Sequence, residues 1–447
     1  MYNYNWCFMI KRIKNIKIET LIFFSIMFLL IGIPILIVFK YTRYCYGLAS
    51  IELLDRVHLL WFISPFLLVL YIIDMIIHKR KVTYVDILTY LLIILAILST
   101  IFAVDTNIAL LGAKTRNEGL LSILSYYFIF LNLKNMTSEK YKNIIIKTII
   151  ILGIVQVIYG VLQVYTTLPF IVHFERPYMA SGLSGNPNFF GSYMILLASL
   201  VFSMYMLERK KIYFVLSGIF FMGICLAASS GPFISFILIV IFFVIFYRKK
   251  IQWKNLLKVL LIFILVYFFV DYSVKYVHTN IFGNKINSNY NISMELKNIG
   301  SSNLGNGRIK LWKNSLPIVK EYWAVGVGLD NFGKVYGVRD GIYYDKVHNV
   351  YLQIAITNGI FALAIYLILL LIIFFKGLKL KRNLYISLLM AFTGYCIQAF
   401  INISVVEVAP TFFIICGLLM GRIQKNKANE KVIELIDNTM VVIQSKN

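Results

Sequence analysis

The chain has 447 residues, of which 60% are hydrophobic and only 14% are charged, and its formal net charge is +24. A soluble domain of this size needs more polar surface, so the composition excludes a soluble protein and predicts a membrane protein. The cations cluster at the ends of apolar segments, where they contact lipid headgroups, so the charge is not the footprint of a nucleic-acid-binding protein.

Apolar segments long enough to cross roughly 30 Å of hydrocarbon recur along the whole chain. Their continuous hydrophobicity predicts helices, because the strands of a membrane barrel would alternate apolar and polar residues. We predict twelve spans, at about 20–39, 59–77, 84–103, 119–133, 144–165, 189–207, 212–228, 233–247, 254–270, 350–375, 384–402 and 405–421. The expected fold class is an all-α polytopic membrane protein.

The basic residues predict how these spans are oriented. With the N-terminus in the cytoplasm and the sides alternating, every short cytoplasmic loop is basic and the short external loops carry few cations. Both termini are therefore expected on the cytoplasmic side of the plasma membrane. Residues 1–421 should form one polytopic domain that includes a large external loop at 271–349, and 422–447 should form a cytoplasmic tail.

The external loop 104–118 places Arg116 immediately before the fourth span, with Glu118 two residues later. One interpretation is a solvated ion pair between these two side chains. The other is that Arg116 lies at the height of a lipid phosphate, which its planar fork of donors suits. The residues alone leave both interpretations open.

The next external loop ends in Ser184-Gly185-Asn186-Pro187-Asn188 and leads directly into a span. Glycine and proline forbid a continuous helix here, and broken backbone beside a membrane is tolerated where it lines a protein cavity. Asn188 is predicted to cap the following helix, whose N-terminus would favour an anion. A re-entrant turn with purely structural Asn and Pro is the alternative.

The loop 271–349 becomes helical in pattern from Arg308 onward. Apolar residues recur at steps of three or four, at Ile309, Trp312, Leu316, Val319 and Trp323. Lysines occupy the other side, which predicts a helix lying flat on the bilayer interface, kinked at Pro317, with Arg308 at headgroup height. A helix that only anchors the loop, with a solvated arginine, is the alternative.

The same loop ends at a histidine. A glycine-rich turn at Gly326-Val327-Gly328 is followed by His348, which directly precedes the apolar run from Val350 to Phe375. This run is predicted as a single span. A lone histidine at a helix start is ordinarily a satisfied structural residue, but a histidine can also take a proton from a reacting group.

Considered together, these motifs resemble the O-antigen ligase/polymerase family, which includes lipopolysaccharide O-antigen ligases and Wzy-type polymerases. The resemblance covers roughly residues 110–420 in the right order. Its motifs are Arg176 with Ser184–Asn188, Gly307–Trp312, Gly326–Phe332, His348–Leu352 with Asn358-Gly359, and Asn402–Pro410. One departure is Gly231, where many members have an arginine, and this puts a structural contact in doubt.

The resemblance implies a helical membrane fold like that of C-class glycosyltransferases. It also implies transfer of a glycan from an undecaprenyl-pyrophosphate carrier to an acceptor hydroxyl on the outer face, with inversion at the anomeric carbon. His348 would act as general base and Arg308 would stabilise the leaving pyrophosphate. The expected substrate-binding residues are Arg176, Arg116, Asn186, Asn188, Trp312 and Asn349.

Metal and cofactor are both expected to be absent from the reaction, because no DxD motif or paired external carboxylates that would hold a metal ion are visible. Asp345, three residues before His348, could orient the imidazole ring, although a solvated surface carboxylate is the simpler interpretation. The expected partners are the lipid-linked donor, a cell-envelope acceptor and the lipid bilayer, with no nucleic acid.

Two other classes of function fit part of the pattern. Twelve spans with internal termini also suit a transporter or flippase related to polysaccharides, without catalysis. Transporters often have two repeated halves joined by a longer cytoplasmic connection. Here the connection at Arg209–Lys211 is short and the long loop is external, which disfavours a transporter. A glycan-binding or sensor protein without catalysis is the third option, and the retention of both arginines and His348 argues against it.

Overall fold

The protein is described by a computed structural model that covers residues 3–45, 55–114, 116–168, 171–172, 177–283, 307–339 and 342–425. Arg176, the first half of the large external loop at 284–306 and the tail residues 426–447 lie outside these described residues. The expectations that concern them therefore stay predictions.

Helices account for almost all the regular structure in the described part of the chain. In order they are α1 Asn3–Cys45, α2 Arg56–Ile77, α3 Tyr84–Ile101, α4 Thr106–Leu111, α5 Leu120–Asn135, α6 Glu139–Tyr165, α7 Pro187–Glu208, α8 Lys211–Ala227, α9 Ser230–Tyr247, α10 Trp253–Tyr276, α11 Arg308–Glu321, α12 Phe332–Tyr336, α13 Val350–Asn358, α14 Ile360–Gly377, α15 Asn383–Gln398 and α16 409–425. A small antiparallel hairpin joins β1 Val338–Arg339 to β2 Ile342–Tyr343.

Eight helices among the described residues are long and apolar enough to cross a membrane. They lie at Ile18–Lys40, Arg56–Ile77, Tyr84–Ile101, Glu139–Tyr165, Pro187–Glu208, Ser230–Lys250, Trp253–Ile281 and Ile360–Gly377. The protein is thus an all-α polytopic membrane protein. The other four predicted spans are also helical, as α5, α8, α15 and α16, but they are shorter, so the number twelve stays a prediction.

The prediction of one span from Val350 to Phe375 is wrong, because the structure divides this run into α13 and α14 at Gly359. Gly359 has φ +85°, and a Cβ atom there would lie 2.2 Å from the carbonyl oxygen of Ala324. The amide of Ile360 donates to the carbonyl of Trp323 at 2.8 Å. The chain after α11 therefore occupies the place where a continuous helix would run, and only glycine tolerates this backbone and this approach.

Helix α7 lies at the centre of the fold. Of its most apolar 18-residue stretch, 94% is buried inside the protein, whereas the corresponding stretch of every other candidate span is at most 44% buried. It packs against α8, α9 and α15 and is buried on all sides along most of its length, as expected for a helix surrounded by protein. The outer helices carry exposed aromatic residues such as Phe24, Phe62 and Phe268, which suit contact with lipid.

The loops gather at two ends of this helix assembly. At one end, the amide of Val104 donates to the carbonyl of Val327 at 3.0 Å, and Asn402 donates to the carbonyl of Asn188 at 2.9 Å. At the other end, a buried ion pair joins Lys134 to Asp86 at 3.0 Å. The first group contains the loops predicted to be external and the second contains those predicted to be cytoplasmic, which is the grouping that alternating spans require.

Candidate functional site

The segment Asp345–Asn349 is fixed by contacts with several different elements. Asp345 Oδ2 lies 2.5 Å from Arg116 Nε, in the loop before α5. Both backbone polar groups of Val347 make hydrogen bonds. Its amide donates to Gln353 Oε1 and its carbonyl accepts from Trp312 Nε1, both at 3.0 Å. His348 is therefore held on a short stretch of backbone that cannot shift without breaking these contacts.

His348 itself has two unusual features. Its φ is +55°, a left-handed conformation uncommon for residues other than glycine and associated with functional sites. Its Nδ1 atom is buried and has no hydrogen-bond partner among the described residues. A buried ring nitrogen without a partner is costly, and a substrate group that bonds to it would remove that cost.

The pKa of His348 is lowered to about 4, below the value expected from the sequence. Burial of the ring is the largest cause; the positive charge of Arg308 adds to it, Asp345 opposes it, and Arg116 and Lys346 contribute further lowering. The imidazole is therefore neutral at physiological pH, and one of its nitrogens can accept a proton. Of the three predicted arginines, Arg308 and Arg116 thus act on the ring through their charge.

Arg308 is the first residue of α11, and its guanidinium donates to the carbonyl oxygen of Ile401 in the loop between α15 and α16. Gly307, with φ +80°, turns the chain into the helix. Arg308 and His348 are 40 residues apart on different elements, and the charge of Arg308 acts on the His348 ring. Their shared role in one catalytic site stays a prediction.

Helix α11 has one face buried in the protein and one face exposed. The buried residues are Leu311, Ser315 and Ile318, whereas Leu316 and Trp323 are more than half exposed. The buried face packs against a small core that includes Val347. Leu316 and Trp323 stay exposed, so the expected contact of this segment with the bilayer interface stays a prediction.

Arg116 makes a different ion pair from the one considered in the sequence. It binds Asp345, and its guanidinium carbon lies 5.2 Å from the centre of the Phe189 ring. Glu118 is only 4% exposed and binds Lys346 instead, so the interpretation as a solvated Arg116–Glu118 pair is wrong. Burial raises the pKa of Asp345, but the hydrogen bond and charge of Arg116 outweigh this effect and hold it below its usual value.

The two asparagines at the start of α7 differ from the expectation in which of them caps the helix. Asn186 is the cap, because its side chain accepts from the amide of Asn188 at 2.9 Å and Pro187 occupies the first helical turn. The prediction that Asn188 caps the helix is therefore wrong. Asn188 Oδ1 accepts from the hydroxyl of Ser229 at 2.6 Å, which joins α7 to the start of α9.

Trp312 and Asn349 use their polar atoms within the protein. Trp312 donates to the carbonyl of Val347, next to His348. Asn349 caps α13 by accepting from the amide of Leu352 at 3.0 Å, and only 8% of the residue is exposed. In this structure both residues shape the site around His348, and their expected contact with substrate stays a prediction.

A buried cluster next to His348 was not found from the sequence. Lys346 lies between two carboxylates, 3.1 Å from Glu118 Oε2 and 2.8 Å from Asp330 Oδ1. These three side chains line a cavity of about 90 Å³ together with Tyr126, Gln353 and Ser404. Among the described residues, no group of three or more His, Cys, Asp or Glu side chains could hold a metal ion.

A histidine and two arginines at one end of a polytopic helical membrane protein form a polar candidate site. Residues 212–367 match the model of the family described as O-antigen ligase. The match includes Arg308 and His348, and it confirms the family resemblance found in the motifs. A comparison with curated proteins gave no match.

Proposed function

We propose that the protein is a membrane glycan transferase that moves saccharide from an undecaprenyl-pyrophosphate carrier to an acceptor hydroxyl on the outer face. It would act as a polymerase or a ligase of O-antigen, capsule or exopolysaccharide. The observation that carries the proposal is His348, neutral and with a buried nitrogen left unpaired, beside Arg308 in the segment matched by the family. The loops around it are those expected on the outer side of the plasma membrane.

The donor half of the reaction requires positive charge at the leaving group. The bond between the anomeric carbon and the pyrophosphate oxygen breaks, and the pyrophosphate keeps the electron pair. Arg308, assisted by Arg176, would stabilise this charge, most strongly where water is scarce. Arg116 would contribute less, because Asp345 already neutralises much of its charge.

The acceptor half requires a base. The acceptor hydroxyl forms a bond to the anomeric carbon while its proton passes to the free nitrogen of His348. Attack on the face opposite the leaving pyrophosphate inverts the anomeric configuration. The negative pyrophosphate would also raise the pKa of His348 above its value of about 4, which makes the ring a stronger base once the donor is bound.

Cells that depend on this protein provide the test of the proposal. Loss of the protein should remove the mature surface polymer and leave undecaprenyl-pyrophosphate glycan on the carrier. Single repeat units on the carrier would identify a polymerase, and long unattached chains would identify a ligase. Normal polymer in cells without the protein would contradict the proposal. If, in addition, an unrelated solute no longer crosses the membrane, the result would favour a transporter.

Chelation is expected to leave the reaction intact. Since the proposed mechanism assigns charge stabilisation to arginines and proton transfer to His348, purified protein should turn over a lipid-pyrophosphate glycan at an unchanged rate in EDTA. The rate should be measured before and after chelation, with Mg²⁺ or Mn²⁺ added back. Loss of turnover that either ion restores would show that a metal takes part.

Replacement of Arg116 should have a modest effect. Its side chain and that of Asp345 are each 22% exposed, and partly exposed ion pairs contribute only about 0–1 kcal/mol. Arg116→Ala is therefore expected to lower the transfer rate by no more than about tenfold. Asp345→Asn is the matched control for loss of the pair. A loss as large as that of Arg308→Ala would mean that Arg116 binds the donor directly.

A further inference from the structure

The buried cluster of Lys346, Glu118 and Asp330 joins three separate parts of the chain. The side chains of these residues are 4%, 4% and 1% exposed. Asp330 Oδ2 also accepts from the backbone amides of Ala113 at 2.8 Å and Glu118 at 3.3 Å. The cluster therefore fastens the loop before α5, the turn after Gly328 and the segment that carries His348 to one another.

Such a cluster is difficult to explain by stability alone. Each buried charge costs several kcal/mol of desolvation, and replacing a buried ion pair by apolar groups is often neutral or stabilising. Burial lowers the pKa of Lys346, but the charges of Asp330 and Glu118 outweigh it, so the ammonium stays charged. In some proteins a buried polar or ionic group instead fixes the geometry between the elements that it joins.

The left-handed backbone at His348 requires neighbouring residues that hold it in place. A non-glycine residue in a left-handed conformation costs about 1–3 kcal/mol and persists only where the surroundings hold it. Lys346 lies two residues before His348, and Asn349, which caps α13, follows it. The strained residue is thus fixed from one side by a buried ammonium and from the other by a helix cap.

We propose that Lys346 is a positioning residue of the transfer site, which holds His348 in its left-handed conformation through the buried ion cluster with Glu118 and Asp330. The inference rests on the proposed function, since it concerns the base of that reaction. It adds three residues to the site that touch neither donor nor acceptor in the mechanism above. The rival explanation is that the cluster only braces the fold.

The variant Lys346→Gln separates these explanations. A misplacement of about 1 Å in a reacting group can cost roughly 10²-fold in rate, so kcat should fall between tenfold and a hundredfold, with little change in KM for the donor. The charged groups that act on His348 are Arg308, Arg116, Asp345 and Lys346. Because Lys346 lowers the pKa of His348, its removal should also move the acidic limb of kcat/KM to higher pH.

A buried lysine at the other end of the molecule provides a matched control. Lys134, in the last turn of α5, is 2% exposed in its side chain and binds Asp86 at 3.0 Å, at the end of the helix assembly opposite His348. Lys134→Gln should lower the thermal midpoint as Lys346→Gln does, because each change leaves buried carboxylates without an ammonium: Asp86 in the first variant, Glu118 and Asp330 in the second. It should leave kcat per folded protein and the acidic limb unchanged.

A readout that does not depend on transfer keeps this inference distinct from the proposed function. Diethyl pyrocarbonate modifies neutral imidazole, so mass spectrometry of His348 across pH measures its titration and accessibility in each variant. Lys346→Gln should shift this profile to higher pH, and Lys134→Gln should not. If wild-type protein transfers no glycan, the proposed function fails while this profile still tests the role of Lys346. Equal pH profiles of His348 modification and equal kcat for the two variants would show that the ion cluster only stabilises the fold.

Discussion

Replacement of His348 by asparagine should lower the rate of glycan transfer by about 10²–10⁴-fold, the usual contribution of a general base. Asparagine is among the residues that best tolerate a left-handed backbone, so the φ of +55° should survive the change. It cannot accept a proton at neutral pH. The rate should be measured with purified protein and a lipid-pyrophosphate glycan, alongside the thermal midpoint of each variant.

His348→Ala is the companion variant, because alanine removes the base and also strains the left-handed backbone. Equal rates for the two variants would assign the loss to the missing base, whereas a much worse His348→Ala would assign part of it to local structure. If His348→Asn transfers glycan at the wild-type rate, His348 is not the base.

The second large effect is expected at Arg308. Arg308→Lys should lower the rate by about 10²-fold or more, since loss of one donor to a developing anion costs roughly 10²–10³-fold. Lysine keeps the charge but cannot bind the pyrophosphate with a planar fork while also donating to the carbonyl of Ile401. The measurement is transfer rate at saturating acceptor over a range of donor concentrations.

The pH profile supplies the control for this prediction. The acidic limb of kcat/KM is expected near pH 4 in the wild-type protein, because it reports the pKa of His348. The charge of Arg308 lowers this pKa, so Arg308→Ala should move the limb to higher pH. Arg308→Lys retains the charge and should leave the limb near its wild-type position. Wild-type rates in Arg308→Ala would remove Arg308 from the site.

The fold class and most helix positions could be predicted from the sequence, because burial in lipid demands long apolar segments with cations at their ends. The break at Gly359 could not. The run from Val350 to Phe375 is apolar throughout, and the reason for the break lies in the chain after α11, whose Trp323 and Ala324 carbonyls approach Gly359. A contact between segments so far apart leaves no periodic signal.

The candidate site could be predicted only at residues whose side-chain type itself indicates a chemical role. His348 and Arg308 stood out because a histidine and an arginine in an external loop suit proton transfer and phosphate binding. Lys346 and Glu118 did not, because their burial depends on a pairing across 228 residues, and in sequence a buried lysine resembles a solvated one. The cap at Asn186 could have been found, since Pro187 favours the first turn of a helix.

The central claim is tested most directly by following both products of a single reaction. Purified protein in lipid vesicles would be given an undecaprenyl-pyrophosphate oligosaccharide and an acceptor with a free sugar hydroxyl, and the carrier and glycan would be quantified together. One undecaprenyl pyrophosphate should be released for each glycan joined to the acceptor, with inverted anomeric configuration and no added nucleotide sugar. Unchanged donor, or a donor only moved across the bilayer, would contradict the account.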